Sequence, residues 1–455
     1  MNASTNARRG ACPGLSAPMQ TGDGLLARLL TGATIGLDAA AALCAAARRH
    51  GNGIIEITAR GSIQIRGLTA ASAPAFSDAV AALAIDAADG IPILADPLAG
   101  LAPAPAPAID AHVLAGALRQ RLAASSFAEL LGPKVSVVID GGSALHLDAV
   151  RADLRLRGAA GFAGWHVALG GDAASATPIG LVAPADAVET AMRLIETLAQ
   201  HGPQLRARDV VLRYGPGAFR SAVADLSVEA PDPIARPPSD PFGLHPLRDG
   251  SLATGIGLAF GHTDAEALEA LIAAAARAGA SGLRTAPGRA LLVIGVTADT
   301  SLALAARAET LGFITRRDDP RRNVVACAGA PICAAAEIPA RTLAPLISGA
   351  AASLLDGSLT LHLSGCPKGC AHPGTCALTI VGNQNGCGLV VDGSARHQPG
   401  VSIAAAHLPA ALAVIAREVA RRGRPGETSA DTLARLGAAR VTTIFAAGPG
   451  AISHG

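Results

Sequence analysis

Two kinds of segment alternate along the 455-residue chain, and each kind occurs twice. The first kind spans Gly24–Gly67 and about 252–295, where an apolar stretch, an Ala-rich stretch with helical periodicity and a β-branched stretch follow one another. The second kind spans 134–171 and 359–393, where β-branched stretches alternate with Gly turns. Two copies are too few for a solenoid, so this order predicts an internally duplicated α/β protein.

Proline-rich joints suggest where the copies are separated. The stretches APAPAPA at 102–108 and EAPDPIARPPSDP at 229–241 are typical of extended spacers. Apolar residues recur at helical spacing near 185–200 and 403–422, which predicts a helix at the end of each second-kind segment. The domains predicted from these features are 1–108, 109–235, 236–318 and 319–455.

The overall charge excludes two classes of partner. Thirty-seven basic residues oppose 35 acidic ones, and a net charge of +2 provides no field for holding a nucleic-acid backbone or an anionic membrane surface. No apolar run reaches the roughly 18 residues of a membrane span. The N-terminal Arg pair has no apolar region behind it, so no secretory signal is expected. We therefore expect a cytoplasmic protein with a small or medium-sized ligand.

Six of the eight cysteines lie between 327 and 387, too unevenly spread for a disulfide scaffold. CAGAPIC at 327–333 gives Cys-x5-Cys, and SGCPKGC at 364–370 gives Cys-x3-Cys. Four thiolates from two loops can each bind one iron of a cubane, whereas structural zinc usually has tighter cysteine pairs. The residues predicted to bind a [4Fe–4S] cluster are Cys327, Cys333, Cys366 and Cys370.

Other residues near these motifs leave alternatives open. Cys376 follows Cys370 by six residues and Cys387 lies in a Gly-rich turn, so a different set of four cysteines is possible. The chain has only two lysines, and one of them, Lys368, lies inside the second cysteine motif. Its charge is predicted to offset the negative charge of the cluster.

These cysteine pairs on a duplicated chain resemble the sirohaem-dependent nitrite and sulfite reductase superfamily. The resemblance covers nearly the whole chain. It implies two ferredoxin-like half-domains and two larger α/β domains, with a tetrapyrrole at their junction beside the cluster. In that superfamily the last cysteine of the set, here Cys370, also bridges the cluster to the tetrapyrrole iron.

The resemblance extends to a strand that binds the carboxylates of the macrocycle. ITARGSIQIRG at 57–67 is similar to the superfamily's carboxylate-binding strand, and Arg forks bind carboxylates in a bidentate manner. Arg284 and Arg289 lie where the second copy mirrors Arg60. The predicted substrate-binding residues are Thr58, Arg60, Gln64, Lys134 and Arg284.

Two departures separate the chain from the reductases. Ser136 stands where the reductases have the second lysine of a Lys-x-Lys pair, and Glu56 stands where they usually have an arginine. Reduction of a small oxyanion requires concentrated positive charge, so these changes argue against that reaction. The chain also resembles the precorrin-3B synthases, for which ACPGLSAPMQTGDGLLARL and SGCPKGCAHPG are typical.

The second resemblance implies O₂-dependent hydroxylation of precorrin-3A, with lactone formation, in aerobic cobalamin biosynthesis. It also implies a mononuclear non-haem iron, for which His372 is the nearest candidate ligand, and electrons from NADH through a flavoprotein or ferredoxin. GIGLAFG at 255–261 lacks the glycine spacing of a dinucleotide loop. The alternatives are a sulfite or nitrite reductase that binds sirohaem, and a non-catalytic iron–sulfur electron carrier. Such a carrier needs only one small domain around its cluster, and this chain has two duplicated halves.

Overall fold

The computed structural model describes residues 13–83, 85–87, 90–103, 110–132, 134–159, 164–229, 233–448 and 451–453. Cys12, most of the first Pro-rich joint and residues 230–232 of the second joint lie outside these ranges. The chain forms two compact units. Unit 1 includes 25–256 and 264–311, and unit 2 includes 20–24, 257–263 and 312–455. The finer division into four domains stays a prediction.

The first segment of the chain alternates strands and helices as the sequence predicts. Helix α1 buries one face through Ala40, Leu43 and Ala47, and it ends at a Gly turn. Strand β4 lies between β2 and β3 and is antiparallel to both. The elements are β1 (Met19–Thr21), β2 (Gly24–Leu29), α1 (Leu37–His50), β3 (Ile54–Ile57), β4 (Ile63–Leu68) and α2 (Ser72–Ala81).

A six-stranded sheet follows in unit 1. Its elements are β5 (Ile93–Ala95), α3 (Ala111–Ala123), β6 (Val137–Asp140), β7 (Ala152–Gly158), β8 (Trp165–Gly171), β9 (Thr177–Val182), α4 (Ala187–Gln200), α5 (Ala207–Tyr214), α6 (Gly217–Ala222) and β10 (Ser227–Val228). The strand order is β10-β9-β8-β7-β6-β5, with β5, β6 and β7 parallel and the others antiparallel. Leu118 and Ile195 of the helices pack with Leu154 and Trp165 of the sheet.

The second copy of the first segment follows. Its elements are β11 (Gly243–Pro246), β12 (Leu252–Gly257), β13 (His262–Asp264), α7 (Ala265–Arg277), β14 (Gly282–Ala286), β15 (Ala290–Val296) and α8 (Ala298–Thr310). The four-stranded sheet has the order β11-β12-β15-β14. The Asp264 side chain caps α7 by accepting from the Ala267 N–H at 2.7 Å. Within GIGLAFG, strand β12 ends at Gly257 and a short 3₁₀ turn follows. This geometry differs from that of a dinucleotide loop.

The two copies pair with each other inside unit 1. Helix α1 packs against α7. Ile35 and Leu283 exchange two backbone hydrogen bonds of 2.8 Å, and Gly288 N–H donates to the Ala59 carbonyl at 3.0 Å. The predicted pairing of the duplicated segments is therefore confirmed, and it brings the turns after β3 and β14 together.

Unit 2 repeats the plan of the larger sheet. Its elements are β16 (Val324–Ala326), α9 (Ala340–Ala350), β17 (Leu361–Ser364), β18 (Cys376–Asn383), β19 (Gly386–Gly393), β20 (Val401–Ile403), α10 (Leu408–Arg422), α11 (Ser429–Leu436), α12 (Ala438–Ala446) and β21 (Ala451–Ser453). Strands β16, β17 and β18 are parallel, and β19, β20 and β21 continue the sheet antiparallel. Ile347, Leu363, Ile380 and Leu412 share the core.

The mixed α/β, internally duplicated fold predicted from the sequence is therefore confirmed. The predicted helices near 185–200 and 403–422 are α4 and α10. Among the described residues, every helix is too short or too polar to cross a bilayer.

Candidate functional site

The two cysteine motifs meet at one edge of the unit 2 sheet. Cys327 follows β16 directly, and Cys366 comes two residues after β17. These neighbouring strands are parallel, so their carboxyl ends lie at the same edge. Cys327 N–H donates to the Leu363 carbonyl at 3.2 Å, which fixes the first loop against the second.

Backbone N–H groups point at the sulfur of Cys327. Gly365 N–H donates to Cys327 Sγ at 3.0 Å. Burial raises the pKa of Cys327, the N–H groups of Gly365 and Gly329 lower that pKa, and the nearby thiolates of Cys370 and Cys366 raise it again. Three of the four predicted thiols are therefore close enough to interact, and the N–H donors favour the thiolate form that binds metal.

Glycines provide the space around these sulfurs. A Cβ at Gly22 would lie 2.2 Å from Cys333 Sγ, and a Cβ at Gly365 would lie 3.3 Å from Cys327 Sγ. The Gly22 carbonyl also accepts from Ala334 N–H at 2.9 Å, so the turn before β2 packs directly on the Cys333 loop. No pattern in the sequence predicts this contact.

Substituting Gly22 by alanine is expected to displace the Cys333 thiol, because no side-chain carbon can approach a sulfur to 2.2 Å. We expect less iron and less acid-labile sulfide per chain after anaerobic reconstitution. Gly349 in α9 is the control, since a Cβ there meets nothing within 4 Å. Equal iron content in Gly22→Ala, Gly349→Ala and the parent protein would show that the contact is unimportant.

The alternative cysteines have different surroundings. Cys387 lies on β19 in the apolar core of unit 2, and burial raises the pKa of its thiol to about 12. Cys376 begins β18, so it lies at the amino end of a strand parallel to β17, whereas Cys366 follows the carboxyl end of β17. Cys376 Sγ lies 3.3 Å from His372 Nδ1. These positions favour the set of four cysteines predicted first.

The spacing of the thiols bears on the kind of metal that they could hold. In the described part of the chain, the only three His, Cys, Asp or Glu ligand atoms found within 4.8 Å of one another belong to Asp140, His146 and Asp148. A tetrahedral zinc ion with Zn–S bonds of about 2.3 Å would bring its sulfurs to within about 4 Å. No three sulfurs of the described cysteines lie within 4.8 Å of one another, which suits a cluster of several metal atoms better than one zinc ion.

An open pocket of about 500 Å³ adjoins the second cysteine loop. Cys366, Pro367 and Ala335 line it together with two cations, Lys368 and Arg396. Lys368 was predicted to offset cluster charge, and that role stays a prediction. Arg396 was not predicted, because it lies far beyond the cysteine motifs in the sequence.

Arg60 lies on a tight turn of unit 1. Thr58 shapes the turn, since Thr58 N–H donates to the Ser62 carbonyl at 2.9 Å and Ser62 N–H donates to Thr58 Oγ1 at 3.0 Å. Gly61 adopts a φ of 83° there. The Arg60 guanidinium donates to Ser136 Oγ at 3.2 Å and to the Arg151 carbonyl. Ser136, one of the two departures from the reductases, therefore helps to hold Arg60.

Gln64 and Glu56 belong to a network across three strands. Gln64 on β4 faces Glu56 on β3 and Arg28 on β2. With its amide in the orientation that satisfies both neighbours, Gln64 donates to Glu56 at 2.9 Å and accepts from Arg28 at 2.7 Å. Arg66 pairs with Glu56 at 3.3 Å. The carboxylate of Glu56 is therefore offset by protein groups.

Arg284 is buried and makes many contacts with the protein. Its Nε donates to Thr34 Oγ1 at 2.8 Å, and its Nη1 donates to the Ala99 carbonyl at 2.7 Å and meets His112 Nε2 at 3.0 Å. Burial lowers the pKa of Arg284 to about 10, so it stays charged at neutral pH. Arg60 and Arg284 line one pocket. Lys134 is an exposed side chain, and Arg289 lies in the β14–β15 turn with a φ of 62°.

Asp140, His146 and Asp148 have the spacing of metal ligands, but protein groups occupy them. Arg236 donates to Asp148 at 2.5 and 2.9 Å and also pairs with Asp140. His146 Nε2 lies 2.7 Å from the Pro237 carbonyl. These three residues, together with Arg236, therefore hold the second Pro-rich joint against the carboxyl edge of the larger sheet in unit 1.

The carboxyl group of Asp96, at the same edge of the sheet, has an unusually high pKa. Burial raises the pKa of Asp96 to about 6, against the opposing effects of the Ser143 hydroxyl and the Gly141 N–H. A carboxyl whose folded-state pKa is raised contributes stability below its unfolded pKa near 4, and that stability is lost as the pH rises through 6.

We therefore expect Asp96→Asn to stabilise the protein above pH 6, by up to about 3 kcal/mol, and to have little effect near pH 4. Urea unfolding on both sides of pH 6 measures this. Asp78 on α2 is exposed, so Asp78→Asn is the control. A pH-independent effect of Asp96→Asn would contradict the raised pKa of Asp96.

Comparison with known proteins finds relatives that share this fold. Residues 18–83 match the nitrite/sulfite reductase ferredoxin-like half domain. The fold is similar to the structure of the Mycobacterium tuberculosis NirA protein, with a TM-score of 0.71 and 18% identity over 92% of this chain and 84% of that one. Sulfite reductase [ferredoxin] 2 of Mycolicibacterium paratuberculosis is 31% identical over 31% of this chain and 27% of its own length. The chain thus resembles the nitrite and sulfite reductases in its fold and in this half domain.

Similarity over nearly the full length narrows the assignment. A precorrin-3B synthase from a Sinorhizobium species is 40% identical to this chain over 97% of its length and 95% of the relative. The chain belongs to the precorrin-3B synthase family and is an oxidoreductase enzyme.

Proposed function

We propose that the protein uses O₂ to hydroxylate precorrin-3A and forms the lactone of precorrin-3B, a step of aerobic cobalamin biosynthesis. The observation that carries the proposal is the 40% identity with a precorrin-3B synthase over almost the whole chain. Similarity to the sulfite reductases covers only part of the chain. Ser136 and Glu56 also reduce the positive charge that reduction of an oxyanion needs.

The reaction consumes one O₂, two electrons and two protons. One oxygen atom enters the macrocycle, and the other leaves as water. The electrons come from outside the chain, and we propose NADH as the ultimate donor, acting through a flavoprotein or a ferredoxin.

Cys327, Cys333, Cys366 and Cys370 would hold a [4Fe–4S] cluster, which supplies single electrons when bound. The residues around these cysteines suit such a cluster. The Gly365 N–H stabilises the Cys327 thiolate, Gly22 leaves room for the Cys333 sulfur, and Lys368 and Arg396 offset negative charge.

The carboxylates of the macrocycle would bind in unit 1. Arg60 is held by the Thr58 turn and by Ser136, so its fork is oriented before the substrate arrives. Lys134 is exposed, so its ammonium group is accessible to a carboxylate. Arg284 anchors the 97–99 segment while it lines the same pocket as Arg60.

The mononuclear iron implied by the family has no matching set of ligands among the described residues. Within the described residues, no two histidines and a carboxylate approach one another within 4.8 Å. His372, the predicted candidate, lies beside Cys376 and packs against His362 at 5.7 Å between ring centroids. No step is therefore assigned to that iron.

The proposal is tested by incubating the anaerobically reconstituted protein with precorrin-3A and a reductant, with and without O₂. We expect the substrate to be consumed only when O₂ is present, with one O₂ taken up per product. A parallel assay with reduced viologen and sulfite or nitrite is expected to leave the dye reduced. Rapid dye oxidation together with unchanged precorrin-3A would favour a reductase instead.

A further inference from the structure

Arg60 is held by two groups that lie at the amino ends of neighbouring strands. Its guanidinium donates to Ser136 Oγ, just before β6, at 3.2 Å, and to the carbonyl of Arg151, just before β7. Strands β6 and β7 are parallel, so the two acceptors lie at the same edge of the larger sheet in unit 1. The direction of the Arg60 fork therefore depends on how these two strand ends are held together.

Asp153 joins the two strand ends. Its Oδ2 accepts from the Ser136 N–H at 2.9 Å, and its own N–H donates to the Ser136 carbonyl at 2.9 Å. Asp153 also follows Arg151 by two residues at the start of β7. Ser136 and Asp153 are both buried, with exposed fractions of 0% and 3%. One buried residue thus fixes both acceptors of the Arg60 guanidinium.

Protein groups use the Asp153 carboxylate completely. Besides the Ser136 N–H, it accepts from Arg206 Nε at 2.8 Å, from Arg206 Nη2 and from the Ala207 N–H at 3.0 Å. A carboxylate has about four lone-pair sites, so these four hydrogen bonds leave none for a substrate. Arg206 directly precedes α5, so the start of that helix holds the carboxylate in place. Asp153 can therefore act on a substrate only through other residues.

We propose that Asp153 is a positioning residue for precorrin-3A binding, which sets the direction of the Arg60 fork through Ser136 and Arg151. This inference rests on the proposed function. Without the Asp153 carboxylate, the Ser136 N–H loses its acceptor and the ends of β6 and β7 are no longer tied. Arg60 must then be ordered when the substrate binds, and ordering a long side chain on binding weakens affinity.

Two substitutions interrupt this series of contacts at different points. Asp153→Asn keeps the shape of the side chain, but its amide NH₂ group cannot accept, so at least one of the present hydrogen bonds is lost. Ser136→Ala removes the side-chain acceptor of Arg60 and keeps the backbone bond to Asp153. The control is Asp225→Asn, because Asp225 also accepts twice from one arginine, Arg193, at 2.8 and 3.0 Å but is exposed.

The measurements are the dissociation constant for precorrin-3A without O₂ or reductant, followed by kcat. We expect about fivefold weaker binding by Asp153→Asn and about threefold weaker binding by Ser136→Ala, because the substrate must then order Arg60. The control should bind like the parent. The value of kcat should change by less than about twofold, since a contact made equally before and during the reaction does not alter kcat.

Repeating the binding measurement in an Arg60→Met background separates a positioning role from a purely structural one. If Asp153 acts through Arg60, Asp153→Asn should change the dissociation constant by less than about twofold in that background. An equal loss in both backgrounds would overturn the inference, as would parent-like binding by Asp153→Asn or by Ser136→Ala. Where Asp153→Asn melts well below the parent, Ser136→Ala decides. Tight binding without turnover by the parent protein would instead overturn the proposed function.

Discussion

Replacing Cys366 by alanine is expected to remove the cluster and to lower the rate of precorrin-3A oxygenation by more than about 100-fold. Loss of a residue that only supports a metal ligand already lowers metal affinity or activity by about 10- to 100-fold. Cys366 is itself a predicted ligand, so its loss should have a larger effect. Iron and acid-labile sulfide per chain, together with the absorption of the reconstituted protein, measure the loss.

Cys387→Ala is the matched control, because Cys387 lies in the apolar core with a thiol pKa raised to about 12. It should keep its full iron content. An intact cluster in Cys366→Ala, or a lost cluster in Cys387→Ala, would show that a different set of four cysteines binds the metal.

Arg60→Met is expected to weaken precorrin-3A recognition by about 100-fold in kcat/KM, mostly through KM. A bidentate pair with a carboxylate involves two charged hydrogen bonds, and a loss of about 3 kcal/mol corresponds to this factor. Arg60→Lys should recover part of the loss, since lysine keeps the charge but not the fork. Steady-state kinetics with a fixed electron donor measure both variants.

Arg49→Met serves as the control, because Arg49 is exposed at the end of α1. It should leave KM unchanged. Thermal melts are needed beside the kinetics, since Arg60 also donates to Ser136 and Arg151. A KM equal to that of the parent in a folded Arg60→Met protein would remove Arg60 from the substrate site.

Local patterns in the sequence were enough to predict the fold. Helical periodicity located α1, α4, α7 and α10, and alternating β-branched stretches located the strands within 134–171 and 359–393. The cysteine spacing also indicated which loops had to meet, and the parallel pairing of β16 with β17 explains how they do.

Contacts between distant parts of the chain could not be predicted in this way. Gly22 packs on Cys333 from the opposite end of the sequence, and no local pattern marks that approach. Arg284 comes from the second copy and reaches across to His112 on helix α3. Arg284 itself was predicted to bind substrate, and its many bonds to the protein became visible only in the fold.

The central claim is that the chain inserts one atom of O₂ into a tetrapyrrole. The most direct test is to incubate the reconstituted enzyme with precorrin-3A, a reductant and isotopically labelled O₂, and to measure the mass of the product. We expect a product that carries one labelled oxygen atom, and none when the label is supplied in water. A product without the label, formed by a protein that holds its full complement of iron and sulfide, would contradict it.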